Sequence, residues 1–371
     1  MSFRSKRRKF LAGTAAAAAL GAPALARAQG PIVLRFQSSW PAKSLFHEYA
    51  LDFAKKVNDM TGGDVRVEVL AAEGAGPRSD LLEAVGKGAL DGGHGLIHYH
   101  YPRHPAFALW AAGPAFGMDA NLLLAWHRYG GGRQLLARLY AAIGADVVSY
   151  LYGPMPTQPL GWFQKPVTRP QDFRRLRFRA PGMAGEIFAG LGATISAAPA
   201  GELAEALRRG ALDGAEFNNA ASDRELGLPG AAKVGMLQSY HQSAEQFEIL
   251  FNKTKLEALP SKIRAIVGNA ADAASADMSW KAVDRYSAAH ARLASEGTRM
   301  LKTPDAVLQR ELAAYDAAAA KHRDDALFRE IQESQRQFAQ RAVRWQLDTQ
   351  VSPRLAYGHY FGRKPAPRRR K

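Results

Sequence analysis

One thirteen-residue segment occurs twice in the chain. Leu81-Leu-Glu-Ala-Val-Gly-Lys-Gly-Ala-Leu-Asp-Gly-Gly93 matches Leu203-Ala-Glu-Ala-Leu-Arg-Arg-Gly-Ala-Leu-Asp-Gly-Ala215 at eight positions, at an offset of 122 residues. In each copy an amphipathic helix runs into a glycine suited to a C-cap, Gly88 or Gly210, and a short segment passes through Leu-Asp-Gly. A duplicated unit of this kind predicts two lobes built alike, each sending a strand towards a shared cleft. The residues just after the copies, 94–101 and 216–219, are then expected to face each other across it.

The surroundings fit an α/β chain. Residues 31–37 are β-rich, and 45–60 carries Leu45, Tyr49, Phe53 and Val57 on one helical face. Residues 65–70 alternate as a strand does. Strand, helix, strand in this rhythm predicts a parallel sheet. The runs 145–152 and 245–251 are expected to be strands at the lobe boundary, and Gly130-Gly131-Gly132 a turn. From Pro260 the pattern becomes helical almost throughout, with 307–346 expected as a long helical stretch with a few breaks, its apolar side marked by Ile331, Phe338 and Val343. The expected partition is lobe I at 31–151 with a returning segment near 240–275, and lobe II at 152–239 with C-terminal helices over 276–360. A length of 371 residues suits about two domains.

The net charge of +16 suggests nucleic acid until it is located. Six basic residues lie in 1–28 and six in 363–371, neither stretch holds an acid, and residues 29–362 carry only +4. A nucleic-acid-binding body is therefore not expected, and 363–371 is expected to be a solvated, disordered tail. Residues 1–28 have a basic start, an apolar run and an Ala26-Arg27-Ala28 ending, the layout of a secretory signal. Within it Arg7-Arg8-Lys9-Phe10-Leu11 resembles the twin-arginine export motif. The mature chain is accordingly expected in the periplasm. The absence of cysteine excludes disulfide scaffolds, thiolate metal sites and cysteine nucleophiles.

The tested enzyme motifs fail. His47-Glu48 lacks the second histidine of a zincin, the triple glycine is not followed by Lys-Ser/Thr, and no Gly-x-Ser-x-Gly elbow occurs. His94, His98, His100 and His104 invite a zinc site, but strand and loop surroundings do not bring a four-residue spacing together. Tyr99 and Tyr101 are candidates for lining a small-ligand pocket or, equally, for interlobe packing. Arg179 closes the apolar strand Leu176-Arg-Phe-Arg179 before Pro181-Gly182, where a guanidinium can fork onto a carboxylate. Arg174, Arg175 and Arg177 read as surface residues.

Gly161-Trp-Phe163, the run 167–179, Gly190-Leu-Gly-Ala193 and Gly210-Ala-Leu-Asp-Gly-Ala-Glu216, supported by Pro114-Ala-Phe-Gly-Met118, resemble the substrate-binding proteins of TRAP transporters over roughly 31–360. The chain looks most like the subgroup that binds 2-oxo or 2-hydroxy monocarboxylates with a metal cation. The resemblance implies a two-lobed, periplasmic-binding-protein-like α/β clamp with a helical C-terminal region. It implies that Arg179 clamps the ligand carboxylate, and that Gln158, Glu216 and the backbone carbonyl of Phe217 hold sodium or calcium, which bridges to the ligand. Tyr99 and Tyr101 fall where pocket tyrosines are found. The family usually shows Glu-Trp where this chain has Glu216-Phe217, so a ligand hydrogen bond from the indole is lost or moves to Asn218.

The implied partners are a small organic acid and the small and large permease subunits of the transporter, with a homodimer through the C-terminal helix as in some relatives. No catalytic cofactor and no reaction are implied. The rivals are a periplasmic enzyme acting on small carboxylates with Glu216 as acid or base, and a sensory receptor for them.

Overall fold

The computed structural model describes residues 30–74 and 81–362. The expected signal segment at 1–28 and basic tail at 363–371 lie outside the described residues. Eleven strands form two sheets. The first takes the order β2-β1-β3-β10-β4, from β1 (Ile32–Ser38), β2 (Val65–Leu70), β3 (Gly92–Leu96), β4 (Val147–Met155) and β10 (Glu245–Asn252). The second takes the order β11-β9-β5-β8-β6-β7. Its strands are β5 (Gly161–Phe163), β6 (Arg177–Arg179), β7 (Thr194–Ser196), β8 (Gly214–Ala215), β9 (Val234–Leu237) and β11 (Arg299–Lys302).

The repeat is built the same way twice. Each copy is a short helix, Leu81–Gly86 or Leu203–Arg208, followed by a glycine of positive φ, +73° at Gly88 and +68° at Gly210. β3 then lies parallel to β1, and β8 lies parallel to β6. The shared aspartates hold the neighbouring strand in register. Asp91 accepts the Arg35 N–H at 2.6 Å, and Asp213 accepts the Arg177 N–H at 2.9 Å. In each copy the aspartate N–H also donates back, to the Arg35 and Arg177 carbonyls. A carboxylate that accepts a backbone N–H beyond the strand end prolongs the ladder where sheet bonding stops.

The chain crosses from the first sheet to the second through 156–160 and returns through 238–244. The two segments run side by side: the Gln158 N–H donates to the Gln242 carbonyl at 3.2 Å, and the Thr157 hydroxyl donates to the Ser243 carbonyl at 3.0 Å. A third connection is the helix Ser261–Ser295, whose 35 residues span about 52 Å. It packs on β4 and on the helix Leu45–Met60, then on Ala220–Glu225, before the chain enters β11. Val267, Ala270, Ala274 and Met278 face a core with Phe36, Phe53, Phe247 and Phe251. Gly153 on β4, at φ +62°, leaves room for Met278 of this helix, which a Cβ there would overlap.

The structure departs from the expected layout in three places. β4 continues to Met155, past the expected lobe boundary at 151. The stretch 307–346 is helical with one break, as expected: its helices are Asp305–Ala320 and Ala326–Thr349, and Asp325 caps the second by accepting the Phe328 N–H at 2.8 Å. The first of these packs on Gly182–Leu191. The second lies on Ala120–Tyr129, with Trp126 Nε1 donating to Ser334 Oγ at 3.0 Å, so the C-terminal helices divide between both sides of the molecule. Finally, β11 adds a strand to the C-terminal third, where helix almost throughout and no strand was expected.

Candidate functional site

A cavity of about 240 Å³ lies between the sheets, and all seven sequence-predicted site residues line it: Tyr99, Tyr101, Gln158, Arg179, Glu216, Phe217 and Asn218. Each arrives from the end of an element. The 3-10 turn Ile97–His100 that follows β3 brings Tyr99 and, just beyond, Tyr101. The first crossing brings Gln158, and Arg179 is the last residue of β6. Glu216 to Asn218 follow β8, so the segments after the two repeat copies do meet across one cavity. Arg177 instead pairs with Asp213 at 2.7 Å and is half exposed.

Arg179 and Glu216 form a buried pair. Arg179 Nη1 donates to Glu216 Oε1 at 2.8 Å and to the Glu216 carbonyl at 3.1 Å, and Nε donates to the Ala198 carbonyl at 3.3 Å. Burial pushes the Glu216 carboxyl up to about 7; Arg179 and His98 oppose the shift, while Glu245 and Asp223 add to it. Behind Glu216 the His241 Nε2 lies 3.9 Å from Oε2, and burial lowers this imidazole to about 3, so it faces the acid as a neutral ring.

The turn that presents Glu216, Phe217 and Asn218 is fixed from below. Asp223 Oδ1 accepts the N–H groups of Asn218 and Asn219 at 3.0 and 3.1 Å, and Oδ2 accepts Trp162 Nε1 at 2.7 Å. The tryptophan of the Gly161-Trp-Phe163 motif therefore buttresses the site without lining it. Gly161, at φ +141°, is what lets β5 approach β8, since a Cβ there would lie 2.7 Å from the Ala215 carbonyl oxygen. Tyr101 donates to Glu186, which raises its hydroxyl pKa along with burial.

A second carboxylate was missed by sequence reasoning. Glu245, at the start of β10 and 1% exposed, binds His98 Nδ1 at 2.5 Å, accepts Gln158 Nε2 at 3.1 Å and accepts Asn218 Nδ2 at 3.3 Å. Trp40, Phe46 and Gln242 also line the cavity and were likewise not anticipated. The one hint was the pair of acids Glu245 and Glu248 inside a β-rich run. The side-chain oxygen of Gln158 is buried with no hydrogen-bond partner among the described residues. A buried, unpartnered amide oxygen beside two buried carboxylates is a donor set suited to a hard cation.

The four histidines do not converge. His94 pairs with Tyr152, His98 with Glu245, His100 with Glu248 and His104 with Asp325. No group of three or more His, Asp or Glu side chains among the described residues is arranged to hold a metal by itself.

Residues 36–324 match the bacterial extracellular solute-binding proteins of family 7, the DctP family. A monocarboxylate 2-oxoacid-binding periplasmic protein from Nostoc sp. is 28% identical over 323 residues, covering 86% of this chain and 87% of that protein. Among solved structures, a TRAP transporter solute-binding protein from Bordetella bronchiseptica superposes with a TM-score of 0.81 at 24% identity, over 90% of this chain and 97% of that one. It is described as a mixed-occupancy dimer with calcium and picolinate bound in one site. A TRAP periplasmic solute-binding protein from Pseudoalteromonas atlantica, with bound sodium and pyruvate, superposes with a TM-score of 0.80 at 24% identity, covering 89% of this chain and 99% of that one.

Proposed function

The chain belongs to the family 7 bacterial extracellular solute-binding proteins, and from that premise we propose that it is the extracytoplasmic receptor of a TRAP transporter for a 2-oxo or 2-hydroxy monocarboxylate. The observation that carries the reading is the meeting of Arg179, Glu216 and the unpartnered Gln158 oxygen in one cavity between two sheets. The substrate class follows the 2-oxoacid-binding relative and the organic acids in the similar structures.

In this reading the Arg179 guanidinium takes the ligand carboxylate. Gln158 Oε1, a Glu216 oxygen and the Phe217 carbonyl would hold sodium or calcium, which supplies a positive charge to the ligand's carboxylate and 2-oxygen. Asn218, Tyr99 and Tyr101 complete the ligand's surroundings. The lobes close around the acid by hinge motion about 156–160 and 238–244 and present it to the small and large permease subunits. No bond is made or broken.

Export through the twin-arginine route is part of the proposal and rests on Arg7-Arg8-Lys9-Phe10-Leu11. So is a homodimer through the last helix, Pro353–Phe361, every residue of which is exposed. Thermal unfolding of residues 29–371 against organic acids, with and without sodium or calcium, tests the main reading. A ligand at a hundredfold excess over Kd adds about 2.7 kcal/mol. Stabilisation by 2-oxo or 2-hydroxy acids that grows with cation is expected, and a flat response across the panel overturns the substrate class.

A further inference from the structure

The cavity is divided by chemistry. Its polar members are bonded to one another: Arg179 to Glu216, and Glu245 to His98, Gln158 and Asn218. Its apolar members form a second, contiguous group. The Trp40 ring lies 5.4 Å from Phe46 and 6.3 Å from Tyr99, and Leu96 and Phe217 pack into the same cluster. Phe217 comes from the second sheet and the other four from the first, so the apolar wall, like the polar end, is assembled from both lobes.

A three-carbon 2-oxo acid needs only the polar end. The cavity, at about 240 Å³, extends beyond that end to the apolar group, with space for several waters there. Filling the apolar remainder with water leaves five apolar side chains hydrated, whereas an apolar ligand group there removes both its own surface and theirs from water. A second carboxylate on the ligand would instead be driven against aromatic rings, near a Glu245 whose bonds are already taken by His98, Gln158 and Asn218.

We propose that the physiological ligand is a 2-oxo monocarboxylate with a bulky apolar side chain, branched or aromatic, lying against Trp40, Phe46, Leu96, Tyr99 and Phe217. The proposal rests on the receptor reading above and adds the identity of the side chain. Its carboxylate and 2-oxygen occupy the polar end. Trp40 and Phe217, one from each lobe, then grip the same ligand group, so the side chain contributes to closure as well as to affinity.

Isothermal titration of the mature chain, in buffer containing sodium and calcium, tests this with pyruvate, 4-methyl-2-oxopentanoate, phenylpyruvate and 2-oxoglutarate. Binding of either bulky acid at least about tenfold tighter than pyruvate is expected, since each added methylene in an apolar pocket is worth roughly tenfold or more. Binding of 2-oxoglutarate is expected to be weaker than that of either. Pyruvate or 2-oxoglutarate as the tightest ligand overturns the proposal and leaves the receptor reading intact. Binding of none of the four overturns this proposal together with the 2-oxo acid part of the receptor reading. Trp40→Ala should weaken the bulky acids by a larger factor than pyruvate, and equal losses for all acids count against the proposal. Trp40 is buried, so Tyr99→Ser, at a half-buried position, repeats the comparison if the first variant does not fold.

Discussion

Three buried acids set the behaviour of single residues. Burial raises the carboxyls of Glu216 and Glu311 to about 7 and that of Asp223 to about 6. A carboxyl whose folded pKa lies above its unfolded value favours folding while protonated. That contribution is complete below about pH 4 and is lost as pH rises towards 7. Comparing melting curves of wild type and Glu216→Gln without ligand isolates one such group. The variant should gain relative to wild type as pH rises from 5 to 8, by roughly 1–3 kcal/mol, and should lose any stabilisation by cation. The same protonation opposes cation binding, so sodium or calcium should stabilise wild type more at pH 8 than at pH 5. Arg179→Ala should abolish binding of 2-oxo acids by titration calorimetry, because nothing else described in the cavity carries a fixed positive charge. At this scale the sequence was legible where chemistry sits at a strand end: Arg179, Glu216 and Gln158 were all named from motif positions. Glu245 was not. Every position of β10 is buried, so no alternation singles it out, and its partner His98 is 147 residues away.

At the scale of elements, the repeat was readable because helix, glycine and Leu-Asp-Gly are local signals that survive in both copies. The strands of the second sheet were not, apart from β6 and the β8 that the second copy sends to the cleft. β5 and β7 have three residues each, too few for a period to show, and they exist because neighbouring strands supply their bonds. One element-scale contact is open to a direct test. Gly153→Ala places a methyl group where Met278 of the long helix packs and does so at positive φ. It should destabilise the fold by roughly 2–4 kcal/mol, read as a lower denaturant midpoint with an unchanged slope.

At the scale of the molecule, the two-lobed plan and the shared cleft were visible in the duplication, but the path of the C-terminal third was not. Which side of the body a late helix packs on depends on contacts such as Trp126 with Ser334, across 208 residues. The terminal helix Pro353–Phe361 makes a separable prediction. Leu355, Tyr357, Tyr360 and Phe361 are each at least 67% exposed, so removing residues 351–371 should leave the melting temperature unchanged. Light scattering should show a dimer for the full mature chain and a monomer for the truncated one. A monomer in both removes the proposed assembly.

The two crossing segments, bonded through Gln158 and Gln242, have a mechanical meaning. Both residues line the cavity while sitting on the segments about which the lobes turn in the proposed closure, which would mount the sensor on the axle. A shift of a fraction of an ångström at a fulcrum becomes a displacement many times larger at the rims. Such a device needs no transmission from a distant detector. It acts as a coincidence switch, thrown when charge and shape arrive together at the pivot.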